Sequence, residues 1–157
     1  KTAGEKLPSP FGDDYSTIVY DSKRKQLLMF STERRSKKLT GAWSCSFPGA
    51  EVRKLEPGNA AGSPRFPRES VYLPTGDLVL FADPAPGGAT VYDVGGNRFR
   101  VLEFANPSPV GKKGGFGGVG CGLMYDPGRD LIWAVYTWWD LRAMRFDPKT
   151  AKFSDAK

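Results

Sequence analysis

The stretch YDPGRDLIWAVYTWWD, Tyr125 to Asp140, gathers three carboxylates, one arginine and three tryptophans in sixteen residues. It reads either as an active site or as one hairpin of a repeated sheet. Its own order of residues favours the hairpin. Met124 and Tyr125 lead into a turn made of Asp126, Pro127, Gly128, Arg129 and Asp130, and a second apolar run starts at Leu131. Asp at a turn accepts hydrogen bonds from its own backbone and Pro presets φ, so both belong there without catalysis. Leu131, Trp133 and Val135 then share one face of the second strand, and Ile132 and Ala134 the other. Both faces are apolar, as in a sheet covered on both sides.

The pattern occurs twice more. VYDSKRKQLLMF begins at Val19, VYLPTGDLVLF at Val71 and MYDPGRDLIWAV at Met124. Their tyrosines, Tyr20, Tyr72 and Tyr125, are 52 and 53 residues apart. Counted from each tyrosine to the leucine of the second run, the first copy has one extra turn residue: seven to Leu27, against six to Leu78 and six to Leu131. A second hairpin follows each first one, starting at Trp43, Thr90 and Ala143. In these, Cys45 to Val52, Tyr92 to Phe99 and Phe146 to Phe153 all span seven residues. Two independent hairpins in register, three times over, mark a repeat of four strands in about 50 residues.

This unit resembles the kelch-like β-propeller repeat. The resemblance rests on the apolar first hairpin and on aromatic-Asp pairs, Tyr92-Asp93 and Phe146-Asp147, before the second turn. It extends from about Asp13 to Lys157. The glycine pair that ends the second kelch strand is replaced here by Phe30-Ser31, Phe81-Ala82 and Val135-Tyr136. The resemblance implies an all-β chain of three four-stranded antiparallel blades, near 13–57, 65–104 and 117–157. Propellers close with about four to eight blades, so three form an incomplete ring with apolar faces open at each end. The expected partner is a polypeptide that completes the ring: the rest of a parent chain, another subunit, or a second copy giving six blades. Some other compact packing of three sheets is the remaining option.

Composition narrows the chemistry. There are 23 basic and 17 acidic residues, net +6, with an isoelectric point near 9.4. That permits an acidic partner without demanding one, and nucleic acid is not the expected one. Histidine is absent, which removes the commonest general base and metal ligand and any Ser-His-Asp or Cys-His arrangement. Two cysteines, Cys45 and Cys121, are too few for a structural zinc site or a disulfide framework. They could pair once or remain small buried hydrophobes. No cofactor and no metal are expected. No run approaches the ~20 apolar residues of a membrane helix. The chain starts at Lys1, which suggests processing, trimming or a piece of something longer. The compartment is open, with a lean toward an extracytoplasmic or secreted setting.

Strand alternation sends the turns within hairpins to one face and the remaining loops to the other. The second set carries Arg34, Arg35, Lys37, Lys38, Arg65, Arg68, Lys112, Lys113 and Arg142, together with Trp138 and Trp139. This basic and aromatic rim is the candidate binding surface for a protein, a glycan or a polyanion. The favoured function is therefore a non-catalytic scaffold or binding module. The alternative is the propeller subunit of a carboxylate-dependent glycan hydrolase or lyase, drawing on Asp13, Asp14, Asp83 and Asp140. GKKGGFGGVG from Gly111 lacks the lysine-serine/threonine ending of a phosphate loop.

Overall fold

The computed structural model describes residues 15–65, 67, 69–82, 88–107, 122–136 and 140–155. They form twelve strands in three four-stranded antiparallel sheets, each a simple up-and-down meander. The first sheet holds β1 (Tyr15–Asp21), β2 (Gln26–Thr32), β3 (Leu39–Ser46) and β4 (Glu51–Leu55). The second holds β5 (Ser70–Leu73), β6 (Leu78–Phe81), β7 (Gly88–Asp93) and β8 (Arg98–Glu103). The third holds β9 (Gly122–Asp126), β10 (Leu131–Tyr136), β11 (Asp140–Asp147) and β12 (Lys152–Asp155). Helix among the described residues amounts to one 3-10 turn, Ala60–Gly62. The fold is all-β, and the three blade-like sheets do not close a ring. No helix of the described residues is long and apolar enough to cross a membrane.

The hairpin register corrects one expectation. Tyr20 pairs with Leu27, Tyr72 with Val79 and Tyr125 with Ile132, so the three first hairpins are equally long. Leu27 is the counterpart of Val79 and Ile132, not of Leu78 and Leu131; Gln26 occupies the position those leucines take. A polar residue there disguised the register. The second hairpins pair as their spacing requires: Cys45 with Val52, Tyr92 with Phe99 and Phe146 with Phe153.

Each turn places one non-glycine residue in the left-handed region just before the returning strand. These are Lys25, Asp77 and Asp130 in the first hairpins and Ala50, Asn97 and Ala151 in the second. Asp and Asn tolerate this conformation better than most residues. The aspartates that open the turns accept backbone N–H groups. Asp21 Oδ1 takes those of Lys23 and Arg24 at 3.0 and 3.1 Å, and Asp126 Oδ1 those of Gly128 and Arg129 at 2.9 and 3.2 Å. The carboxylate of Asp126 is thus turn chemistry.

Period-two alternation decides what each sheet packs against. Val19, Leu28, Phe30 and Ala42 of the first sheet face Tyr72, Val79, Phe81, Tyr92 and Phe99 of the second. Phe30 lies edge-on to Phe81, Tyr92 and Phe99 at 5.3, 4.9 and 5.8 Å between ring centres. The opposite face of the second sheet, with Val71, Leu73, Leu78, Leu80 and Val91, meets Ile132, Ala134, Met144, Phe146 and Phe153 of the third. Strands β5 to β7 of the second sheet are covered on both faces, and all four residues of β6 are buried. Gly76, in the β5–β6 turn, lies so close to Pro148 that a Cβ would stand 2.6 Å from the proline ring.

Linker segments stitch neighbouring sheets at their outer edges. Gly58 donates to Asn97 and accepts from Phe99, and the Asn59 side chain donates to the Phe99 carbonyl at 3.2 Å. One sheet later, Ala105 donates to Ala151, and Asn106 bonds both the N–H and the carbonyl of Phe153 at 2.8 and 2.9 Å. In each case the segment leaving one sheet closes the outermost strand of the next.

Candidate functional site

The innermost strands lie side by side, β1 against β5 and β5 against β9. Between them opens a cleft of about 360 Å³. Its lining is four register positions repeated in each sheet: Ile18, Val19, Tyr20 and Ser22; Ser70, Val71, Tyr72 and Pro74; Leu123, Met124, Tyr125 and Pro127. The wall is mostly apolar, with the hydroxyls of Ser22, Ser70 and the tyrosines as its polar points. Thr17 and Ser70 exchange a hydrogen bond of 2.7 Å between the first two sheets. Such a wall can hold an apolar group or the face of a sugar ring.

The tyrosines differ in freedom. Tyr72 donates to Asp77 at 2.8 Å and Tyr125 to Asp130 at 2.7 Å, each to the left-handed residue of its own turn. Burial, joined by that bond, pushes the Tyr72 hydroxyl well above the usual phenol range and Tyr125 up to about 12. Tyr20, with Lys25 at the corresponding turn position, stands half exposed. At the same end of the sheets, Arg24 forms two parallel bonds to Asp77, at 2.8 and 2.7 Å, and a third to Asp21 at 3.1 Å. The guanidinium holds Asp77 down to about 2. For Asp21, burial works against ionisation, but the bonds from Gln26 and Arg24 outweigh it and lower its pKa. Asp93, Asp126 and Asp147 likewise accept bonds within their own turns.

At the opposite end of the sheets lie some of the residues that the sequence assigns to the rim. Arg34, Arg35 and Lys38 are exposed on the loop between β2 and β3, which closes through backbone bonds between Glu33 and Lys37 and between Glu33 and Lys38. Lys37 bonds the Arg34 carbonyl and lies 5.1 Å from the Tyr15 ring centre. Arg65 reaches the same end, its carbonyl accepting from Thr32 at 3.3 Å. Arg142 is exposed but stands within β11 rather than on a loop, because that strand starts at Asp140. Arg68, Lys112, Lys113, Trp138 and Trp139 lie outside the described residues, as do Cys121, Asp13, Asp14 and Asp83. Cys45 is a free buried thiol.

The axial cleft and the Asn59 and Asn106 stitches were not anticipated from sequence. A signal for the stitches exists: both linkers open on the same pattern, Leu55-Glu56-Pro57-Gly58-Asn59 and Leu102-Glu103-Phe104-Ala105-Asn106. The cleft had a signal in the three aligned tyrosines, but strand order around it was needed to see that they converge.

No family model and no curated protein matches this chain. Among solved structures it is similar to one described as an auxiliary nutrient binding protein from Bacteroides thetaiotaomicron, with a TM-score of 0.54 at 10% identity. The match covers 88% of this chain and 30% of that one, so the chain spans under a third of the length of the structure it resembles, and at this identity the likeness is one of fold.

Proposed function

We propose that the chain is three blades of a kelch-like β-propeller that acts as a non-catalytic scaffold and binding module, completed by other polypeptide. The observation that carries this reading is apolar surface left open on both terminal sheets. Ile18 and Tyr20 on the first are 52% and 51% exposed, and Met124, Val135 and Leu141 on the third are 62%, 53% and 61% exposed. Their register counterparts on the second sheet, such as Tyr72 and Val71, are buried between sheets. Apolar patches of this kind mark interaction surfaces. Binding also fits Asp21, Asp77, Asp93, Asp126 and Asp147, which are engaged in turns and ion pairs rather than poised as an acid-base pair. The similar solved structure is described as a binding protein, in keeping with this role.

Within that module, the basic loop end is the ligand surface, with Arg34, Arg35, Lys37, Lys38 and Arg65 clustered and able to steer an anionic or sugar-bearing partner. Titration with a sulfated oligosaccharide, beside its neutral parent sugar, tests it by calorimetry. Replacing Arg34 and Arg35 with Ala should weaken binding of the sulfated probe and flatten its salt dependence. Replacing Lys23 and Lys149 with Ala, at the turn end, should change little. Equal losses from both ends would reduce the rim to ordinary solvated charge.

A further inference from the structure

We infer that the open face of the third sheet receives a further sheet bearing an acidic residue at the left-handed position of its first turn, and that it rejects a second copy of this chain's own first sheet. This rests on the reading of the terminal sheets as docking faces and specifies their occupant. A charged contact joins the first two sheets, Arg24 with Asp77.

Arg24 precedes the left-handed residue of its turn and clamps the left-handed residue of the next sheet, Asp77, through two bonds. It is braced by the aspartate three positions before it, Asp21. Arg129 on the third sheet repeats this arrangement. It precedes left-handed Asp130, and its guanidinium is braced by Asp126 at 2.9 Å. Arg129 is 71% exposed on its side chain. A following sheet, placed by the same step that relates the first to the second, would set its left-handed turn residue against this guanidinium. A bidentate carboxylate is the group such a fork matches.

A second copy closing a six-bladed ring would offer Lys25 there instead, since Lys25 is the left-handed residue of the first turn. Two cations would then share the position where the internal interface has a bidentate ion pair. Like-charge juxtaposition suppresses wrong partners even where the apolar faces match. The occupant is therefore a four-stranded sheet of different sequence, with Asp or Glu at that turn.

The test converts this chain into its own surrogate partner. Lys25→Asp places at φ 51 the residue type already found at φ 52 in Asp77 and Asp130, so the turn tolerates it. Sedimentation equilibrium of the full 157-residue chain is compared for wild type, Lys25→Asp, Lys23→Asp and Lys25→Asp combined with Arg129→Glu. Lys25→Asp should tighten association to a species of twice the 17.2 kDa chain mass by about tenfold, an effect that shrinks with salt. Lys23→Asp should not, and adding Arg129→Glu should cancel the gain. Wild type closing as tightly as Lys25→Asp, or both aspartate variants behaving alike, overturns the inference. Binding of the apolar dye anilinonaphthalene sulfonate separates the two levels. Dye binding without charge dependence sinks only the pairing rule; its absence, with no association in any variant, sinks the docking reading itself.

Discussion

Phe30→Ala should uncouple the first sheet from the second. Phe30 is fully buried and meets three rings, Phe81, Tyr92 and Phe99, all on the second sheet. Truncating a buried phenylalanine costs about 3–5 kcal/mol, the lost transfer energy plus the cavity left behind. The upper part of that range applies, because the cavity walls are rings on a sheet whose other face is packed against the third sheet, which limits collapse. For a domain whose whole stability is about 5–15 kcal/mol this is a large fraction. With a urea m-value near 2 kcal/mol/M, the midpoint should fall by about 2 M. Trp43 and Trp133 sit on the first and third sheets, so intrinsic fluorescence follows both. Unfolding should become biphasic, the Trp43 signal moving first. Val135→Ala, at an exposed position of the third sheet, is the control and should stay within about 0.5 kcal/mol of wild type. If the two substitutions cost the same, or Phe30→Ala costs under about 1 kcal/mol, the packing argument fails.

Acid should weaken the same interface. Asp77 titrates at about 2 in the folded chain against an ordinary 3.8, so its stabilisation is present above pH 4 and is lost as pH falls from about 4 to 2. Solvent screening of this partly exposed pair limits the loss to about 1 kcal/mol, and Asp77→Asn should remove that part of the pH dependence of the thermal midpoint. Asn106→Ala should cost about 1–3 kcal/mol, since it leaves the Phe153 N–H and carbonyl without their side-chain partner; faster hydrogen exchange at the Phe153 amide, with the β6 amides unchanged, is the readout.

Residue order alone determined the strands and turns. Asp at the turn entrances and alternation of apolar side chains act within about ten residues, so they are legible without a structure. The three-fold repeat, the twelve strands and the split of turns from rim loops all follow from them. The first-hairpin register was misread where Gln26 stands at a position occupied by leucine in the other copies, because periodicity counts side-chain type rather than backbone pairing. What only the tertiary structure decided are relations across a full repeat: Thr17 with Ser70, Arg24 with Asp77, Asn106 with Phe153, and the convergence of Tyr20, Tyr72 and Tyr125 on one cleft. Each joins residues that chain proximity does not couple. Their meeting depends on which sheet face packs against which, and that choice belongs to the burial of whole apolar faces rather than to any local stretch.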